Sequence, residues 1–379
     1  MQRQMLRAVK QSATAMSPAA RVATTTNLFS PIKVGNMLLN HRVVMAPMTR
    51  LRTTKTSAVL KVVKEYYSQR ASTPGTFLIS EGTVISPRAT GFPGAPGIWS
   101  DEQIAAWKEV VDAVHAKGSY IYLQIAAMGR AAQPSVLQSY DPTYDVVSAG
   151  DIPMTEGEVP RPMTVEEIQA SIRDFVQAAT NAVHKAGFDG VELHGANGFL
   201  IDQFIQDVSN NRTDKYGGSI ENRVRFALEV VYAVAKAVGD DKTAIRLSPW
   251  SKEQDMGMKD PIPTFTHLIS QLKEKQPNLA YLHLIQSRDL DDQKQSNEIF
   301  FDLWSPQPLV VADGITREKA LKFAEREGLL VAFGRQFISN PDLPLRLKAD
   351  IPLSEYDRTS FYGGDESGKG YIDYAFASK

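Results

Sequence analysis

The sequence predicts a single-domain α/β protein of the (β/α)₈ TIM-barrel class, and three observations support this prediction. Eight short apolar runs typical of buried strands alternate with helical patterns over about 320 residues. At 379 residues the chain could hold two or three domains, but α/β barrels often reach this length as one. No GxGxxG turn follows the first strand, and a doubly wound sheet, the competing fold, would favour one there.

The overall composition limits the classes of function. The chain is 43% hydrophobic and 22% charged with a formal net charge of -1, which argues against nucleic acid or an anionic membrane as partner. No apolar run approaches the roughly 20 residues of a membrane span. The lack of cysteine excludes a disulfide framework, a thiolate nucleophile and an iron–sulfur cluster. The six histidines show no HExxH spacing, so no metal site is expected.

The first 26 residues differ from the rest. They contain Arg3, Arg7, Lys10 and Arg21, many small or hydroxylated residues and no acidic residue. This is the composition of a mitochondrial transit peptide, and the alternative is a disordered basic extension that precedes the fold. We expect the folded domain to span residues 27–379 and the protein to be cytoplasmic, or mitochondrial if the extension is a transit peptide.

The first half of the domain begins with a hairpin signal, in which apolar residues alternate around Gly35-Asn36. We expect this hairpin to cap the bottom of the barrel. Strands and helices then alternate. The predicted strands are Arg42–Met48, Thr76–Ile85 and Tyr120–Ile125, and the predicted helices are Ser57–Ala71 and Asp101–Lys117.

The second half begins after a long loop rich in Pro and Gly, residues 126–162, of a length that is usually functional. Thr164 and Glu167 have the spacing of a capping box that starts the next helix. The pattern over Leu290–Trp304 is a weaker helix signal. The remaining predicted strands are Val191–Leu193, Thr243–Ser248, Ala280–Gln286, Leu309–Asp313 and Leu329–Phe333.

Polar residues and glycines follow these strands, where barrel enzymes hold their active sites. His194 and Asn197 follow the fourth strand. Gly334-Arg335 after the eighth strand, with Gly314 after the seventh, has the pattern of a barrel phosphate site. The alternative is a plain helix cap with a surface arginine. The other strand-end residues are Pro47, Met48, Thr49, Gly82, Gln124 and Arg246.

These side chains suit a planar heterocycle with hydrogen-bonding edges. The Gln124 amide offers a donor and an acceptor, which a pyrimidine ring would match. Arg246 carries a permanent positive charge that could stabilise a reduced, anionic flavin, and Thr49 could donate its hydroxyl to the ring edge. Together with the phosphate pattern, they favour a bound phosphorylated cofactor.

Several long segments of the chain have the pattern of a known family. They are HGANGFLIDQFIQDVSNNRTDKYGGSIENRVRF, LFSPIKVG, HRVVMAPMTRLR, EGTVISPRATGFPGAPGIWS, RLSP, FGRQFISNPDL and SFYGGDESGKGYIDY. On these segments the chain resembles the Old Yellow Enzyme family of FMN-dependent ene-reductases from Leu28 to Tyr374. The resemblance implies a barrel that holds FMN noncovalently and is reduced by NADPH or NADH. It further implies hydride transfer from flavin N5 to the β-carbon of an alkene conjugated to a carbonyl or nitro group.

The resemblance also implies residue roles. His194 and Asn197 correspond to the pair that donates to the substrate oxygen and stabilises the charge that develops on it. Thr49 corresponds to the residue that hydrogen-bonds the flavin and tunes its potential, and Tyr362 to a residue over the pocket mouth. The implied FMN contacts are Pro47, Met48, Gly82, Gln124 and Arg246, with Gly314, Gly334 and Arg335 at the phosphate end.

Three positions depart from the family pattern. Phe199 stands where a tyrosine hydroxyl usually gives a proton to the substrate α-carbon, and phenylalanine cannot donate. Ala126 replaces a tryptophan, which should widen the pocket. Phe92 replaces a frequent tyrosine and leaves the site more apolar.

The leading hypothesis is therefore an NAD(P)H-dependent flavin oxidoreductase that reduces enones, enals or nitroalkenes and takes its proton from solvent or another donor. One alternative is a flavin-dependent isomerase in a secondary-metabolite pathway of the ergot-alkaloid kind, where such members of the family carry Phe at this position. A second alternative is a non-catalytic protein that binds flavin or another ligand. A monomer or a homodimer is expected.

Overall fold

The computed structural model describes residues 26–287, 295–364 and 366–377, and within them eight parallel strands form a closed barrel. This confirms the (β/α)₈ prediction. The barrel strands are β3 (Val43–Met45), β4 (Phe77–Ile79), β6 (Tyr120–Ala126), β9 (Gly190–Gly195), β10 (Thr243–Leu247), β11 (Tyr281–Ile285), β12 (Leu309–Ala312) and β13 (Leu329–Phe333).

The ring is closed by pairing between the first and last barrel strands. Val331 of β13 pairs with Val43 of β3, and β4 pairs directly with β6 through Phe77 and Tyr120. The second predicted strand is interrupted, with β5 (Thr83–Val84) following β4 after a break. Within the break the buried Glu81 carboxylate accepts the backbone N–H groups of Arg50 and Leu51, so the chain leaves the regular ladder here.

The helices lie outside the barrel and bury the outer faces of the strands. Both partners of the predicted Thr164–Glu167 capping box are present at the start of α4, which confirms that prediction. A π-helical segment, Asn181–Ala186, follows α4 directly. The helices are α1 (Lys61–Arg70), α2 (Asp101–His115), α3 (Pro134–Tyr140), α4 (Val165–Thr180), α5 (Leu200–Ile205), α6 (Ile220–Arg223), α7 (Arg225–Val238), α8 (Ile262–Lys275), α9 (Glu298–Trp304), α10 (Arg317–Phe323), α11 (Arg335–Ser339) and α12 (Leu343–Ala349).

The predicted N-terminal hairpin closes the bottom of the barrel. Strands β1 (Ile32–Val34) and β2 (Met37–Leu39) pair antiparallel, and Gly35 adopts the positive φ of 52° that the turn needs. The buried apolar side chains of the hairpin form one cluster with inward-facing residues of the barrel strands. That cluster includes Val34, Met37, Leu39, Phe77, Tyr122, Tyr281, Val310 and Leu330.

The long loop after β6 has structure of its own. It contains α3 and a small two-stranded sheet formed by β7 (Val147–Ser148) and β8 (Arg161–Pro162). The buried Arg130 guanidinium donates to the carbonyls of Ile152 and Gln254, so it ties this loop to the loop after β10. The loop is therefore anchored at the carboxyl end of the barrel.

The C-terminal segment is fixed to the start of the domain by arginine–tyrosine contacts. The rings of Tyr66 and Tyr371 stack with centroids 4.0 Å apart, and the Arg50 guanidinium lies 4.6 Å from the Tyr371 ring. Arg50 also donates to the backbone carbonyls of Ser360 and Phe361. These contacts hold residues 360–364 and 366–371 against the carboxyl end of the barrel.

Two predicted helices begin later than expected. The first begins at Lys61 and not at Ser57, because Thr53 and Val59 form an isolated β-bridge and Ser57 has a positive φ of 59°. The segment predicted from Leu290 is helical from Glu298, and residues 290–294 lie outside the described ranges, as does the basic extension up to residue 25. Among the described helices, none has the length and apolar character needed to cross a membrane.

Candidate active site

A cavity of about 880 Å³ opens at the carboxyl end of the barrel. Most of the residues predicted for the site line it, including the glycine–arginine turn after β13 and the loop after β3. The predicted residues in its wall are Pro47, Met48, Thr49, Asn197, Phe199, Arg246, Gly314, Gly334, Arg335 and Tyr362.

The floor of this cavity is made of small residues that were not singled out from the sequence. Ala46 directly follows β3, Ala312 is the last residue of β12 and Ala332 is the penultimate residue of β13, and all three line the cavity. Gly314 has a positive φ of 63°, and a Cβ atom there would have no neighbour within 4 Å, so the turn leaves open space. Small side chains and an open glycine turn leave this part of the cavity without bulky groups, which suits a planar ring.

A buried hydrogen-bond network inside the barrel orients Gln124. The Gln124 Nε2 amide donates to Glu192 Oε1 at 2.8 Å. The Gln124 Oε1 atom points towards Gly82, where a Cβ would lie 3.4 Å away and also 3.9 Å from His194 Cδ2. The structure thus brings Gly82, Gln124 and His194 together, and the Gln124 oxygen is the atom left to accept from a bound ring.

Glu192 is the centre of that network and was not identified as a site residue from the sequence. Its Oε2 accepts from Tyr281 at 3.0 Å and from His283 Nδ1 at 2.8 Å. Burial would raise the pKa of Glu192, but His283, Arg246 and the hydrogen bonds hold it below its ordinary value. Burial lowers the pKa of His283, although the negative charge of Glu192 and its hydrogen bond act in the opposite direction.

His194 and Asn197 lie where β9 ends. Burial and the nearby charge of Arg246, which pairs with His194 in the barrel register, lower the pKa of His194 well below its ordinary value. The imidazole is therefore neutral, and its Nδ1 atom has no hydrogen-bond partner among the described residues. Asn197 has a left-handed backbone with φ of 55°, which is uncommon for a residue other than glycine.

An apolar wall stands next to this pair. The Phe199 ring lies 4.5 Å from the His194 ring and 6.2 Å from the Phe92 ring, as measured between centroids. Phe92 and Phe199 both pack against a buried cluster that contains Ala126 and Met128. The two remaining predicted residues, Phe92 and Ala126, thus join the site through this wall, while Tyr362 is 65% exposed at the mouth.

Comparison with known proteins identifies the family. The profile of the "NADH:flavin oxidoreductase / NADH oxidase family" matches residues 27–354. The chain belongs to this family. This is an oxidoreductase family, and Old Yellow Enzyme is among the solved structures that the fold resembles, as the sequence indicated.

Solved structures and named relatives agree with this assignment. Old Yellow Enzyme from Pichia sp. AKU4542 superimposes with a TM-score of 0.87 at 38% identity, covering 94% of this chain and 95% of that one. A "Probable inactive reductase easA" of Epichloe festucae var. lolii is 50% identical, covering 94% of this chain and 97% of the relative. "Chanoclavine-I aldehyde reductase fgaOx3" of Penicillium roqueforti is also 50% identical, covering 93% and 97%.

The donor set of the cavity fits the FMN that the family implies. Arg246 presents a cation and Thr49 a hydroxyl in the cavity wall, and Gln124 presents an acceptor near His194, the register partner of Arg246. The open turn at Gly314 and the Gly334-Arg335 turn lie on the same cavity, where a phosphate could be bound. Gly334 is close to Met48, whose Sδ would be 3.5 Å from a Cβ at that position.

Proposed function

We propose that the protein is an FMN-dependent, NAD(P)H-driven oxidoreductase of activated alkenes, acting on a conjugated carbonyl or nitro compound. The observation that carries this proposal is the position of His194 near the end of β9, close to Gln124 at Gly82 and in register with Arg246, while Asn197 and Arg246 line the cavity. A donor pair above a surface that fits a flavin is what reduction of such an alkene needs.

His194 and Asn197 are proposed to hold the substrate oxygen. A neutral imidazole carries one N–H, and the asparagine amide carries two, so both can donate to a carbonyl or nitro oxygen. Negative charge develops on that oxygen when hydride adds to the β-carbon, and preorganised donors stabilise it. The lowered pKa of His194 keeps the imidazole in this neutral form at ordinary pH.

The bound FMN would supply the hydride, and NADPH or NADH would replenish it. The contribution of the chain is to hold the ring and to neutralise charge. Gln124, fixed by Glu192, accepts from the ring edge, and Arg246 places a permanent cation beside it. Thr49 lines the same cavity as a third polar contact.

A second candidate function is isomerisation of the bound alkene without net use of NADPH. Phe199 has no proton to give, so a substrate anion formed next to it depends on solvent for its proton. If protonation is slow, the hydride can return after the intermediate has rotated. The relatives named for chanoclavine-I aldehyde reduction favour an aldehyde of the ergot-alkaloid kind as substrate for either outcome.

The first experiment is anaerobic. Purified protein should be yellow, and the reduced holoenzyme should be reoxidised by 2-cyclohexenone or a nitroalkene. Colourless protein that does not bind added FMN would rule out the proposed function. His194→Ala should bind FMN and lose most of the reoxidation rate, which separates cofactor binding from substrate activation.

A labelling experiment separates reduction from isomerisation. The enzyme is supplied with NADPH deuterated at the transferred position, and the product is identified. Reduction predicts one deuterium at the β-carbon for each NADPH consumed. Isomerisation predicts a rearranged product with NADPH needed only to prime the enzyme.

A further inference from the structure

The turn that carries Asn197 is anchored by a buried carboxylate. Strand β9 ends at Gly195, and both Asn197 and Gly198 then take left-handed backbone conformations, with φ of 55° and 76°. The N–H of Asn197 donates to Ser248 Oγ at 2.8 Å, and the N–H of Gly198 donates to Asp202 Oδ2 at 2.9 Å. The two successive N–H groups of the turn, those of Asn197 and Gly198, are thus both bound by buried side-chain oxygens.

Asp202 and Ser248 also contact each other. The Ser248 hydroxyl donates to Asp202 Oδ2 at 3.5 Å, a long hydrogen bond, and Gln206 Nε2 donates to Asp202 Oδ1 at 2.9 Å. Asp202 and Ser248 are both fully buried. The carboxylate therefore acts on the turn directly through Gly198 and indirectly through Ser248.

The turn needs such an anchor because its backbone is strained. A left-handed conformation at a residue other than glycine is energetically unfavourable and persists when the surroundings fix it. Gly198 has little room to adjust, since a Cβ there would lie 2.8 Å from Gln254 Cβ and 2.9 Å from Met256 Cγ. The N–H acceptors on Asp202 and Ser248 are what hold the neighbouring Asn197 in this conformation.

We propose that Asp202 is a positioning residue whose ionised carboxylate, acting through Gly198 and Ser248, aims the Asn197 amide at the substrate oxygen. This inference rests on the proposed function, because it assigns a use to Asn197. Loss of the charge would loosen the turn and weaken substrate binding. The FMN contacts around Gln124 belong to a separate network and would be unaffected.

The charge of Asp202 can change within the working pH range. Burial raises the pKa of Asp202 to about 7, and the Arg130 guanidinium opposes this rise. Of the other charged or titratable groups packed around α5, Arg223 on α6 is directed to the Ile205 carbonyl and Thr264. His194 on β9 has its pKa lowered well below 6.5, so it does not titrate in the same range.

The test uses the FMN-loaded protein and 2-cyclohexenone, a probe that does not ionise. Its dissociation constant from the oxidised holoenzyme is measured from pH 5.5 to 8.5 by the change in flavin absorbance. For wild type we expect binding to weaken roughly tenfold as pH falls through about 7, the effect of losing one charge-assisted hydrogen bond. Asp202→Asn should bind weakly at every pH, with an unchanged FMN dissociation constant.

Two further variants make the result specific. Asp207→Asn removes an exposed carboxylate from the residues that follow the same helix, and it should keep the wild-type pH profile. Ser248→Ala should weaken enone binding and keep the pH step, because Asp202 still holds Gly198.

The outcomes separate the two proposals. A pH-independent dissociation constant for wild type, or an Asp202→Asn protein that keeps the wild-type profile, would overturn the role of Asp202 alone. The wild-type profile decides the matter even if a variant does not fold. Wild-type protein that binds no FMN would overturn the proposed function, and with it this inference.

Discussion

The Phe199 ring packs against the His194 imidazole, with centroids 4.5 Å apart and ring planes inclined by 60°. A group on the Phe199 ring would therefore lie close to the residue that is proposed to hold the substrate oxygen. The ring carries no hydroxyl, so the donor pair is present while the adjacent proton source is not. This pairing leads to the first prediction.

Phe199→Tyr should increase the rate of net alkene reduction by on the order of tenfold to a hundredfold, because a positioned general acid speeds protonation. The measurement is anaerobic NADPH consumption with 2-cyclohexenone, with product identification. Phe92→Tyr is the matched control, since it adds a hydroxyl to the other phenylalanine ring of the same wall. The centroids of the Phe92 and Phe199 rings lie 6.2 Å apart. An equal increase in both variants would mean that pocket polarity and not proton donation is responsible.

Glu192→Gln should weaken FMN binding by roughly tenfold, because the amide NH₂ replaces one of the two acceptor oxygens and opposes either the Gln124 donor or the His283 donor. The FMN dissociation constant is measured by quenching of free flavin fluorescence, with circular dichroism to check folding. Tyr281→Phe removes a different donor to the same carboxylate and leaves Gln124 in place, so its FMN affinity should stay near wild type. Equal losses in the two variants would contradict the orienting role of Glu192.

Asp202 should make the protein less stable as pH rises. Its folded pKa of about 7 lies above the ordinary 3.8, so its contribution to stability is fully present below about pH 4 and is lost as pH rises through 7. Between pH 5 and pH 8 the decrease should be roughly 3 kcal/mol, because stability falls by about 1.4 kcal/mol for each pH unit between 5 and 7. Urea unfolding at pH 5 and pH 8 should therefore show a smaller decrease for Asp202→Asn than for wild type. Parallel decreases would contradict this prediction.

Arg335→Ala should weaken FMN more than riboflavin, which lacks the phosphate. Loss of a charged donor to phosphate costs about tenfold or more in affinity, and riboflavin should be almost unaffected. The two dissociation constants are compared for each protein. Arg358→Ala is the control, as this arginine also lines the cavity and is exposed, and no role at the phosphate is proposed for it. Similar losses for both flavins would show that Arg335 does not bind the phosphate.

The barrel could be predicted from sequence because its signals are local. Each strand is a short apolar run, and for Leu329–Phe333 the boundaries in the structure match the prediction. The capping box at Thr164 and the hairpin at Gly35 likewise depend on neighbouring residues. The predicted start of α1 at Ser57 was wrong because Thr53 and Val59 pair with each other in a β-bridge. Helical spacing in the sequence does not reveal such a bridge.

The site was predicted only in part, for a related reason. His194, Gln124 and Arg246 are polar residues at strand ends, so the barrel rule locates them. Glu192 lies within a strand, and its partners Gln124 and His283 are 68 and 91 positions away in sequence. Asp202 lies within a short helix, and its partner Ser248 is 46 positions away. Their importance follows from hydrogen bonds that exist only after the barrel has closed.

The pairing of β13 with β3 has a consequence for how the protein is made. A chain growing on the ribosome cannot close the barrel until Val331 and its neighbours have emerged to meet Val43. The cavity wall is later still, because Phe361 and Tyr362 line it and Arg50 holds their backbone. The cavity is therefore completed only after Tyr362 has been synthesised, and a ligand that needs its whole wall is acquired after that point.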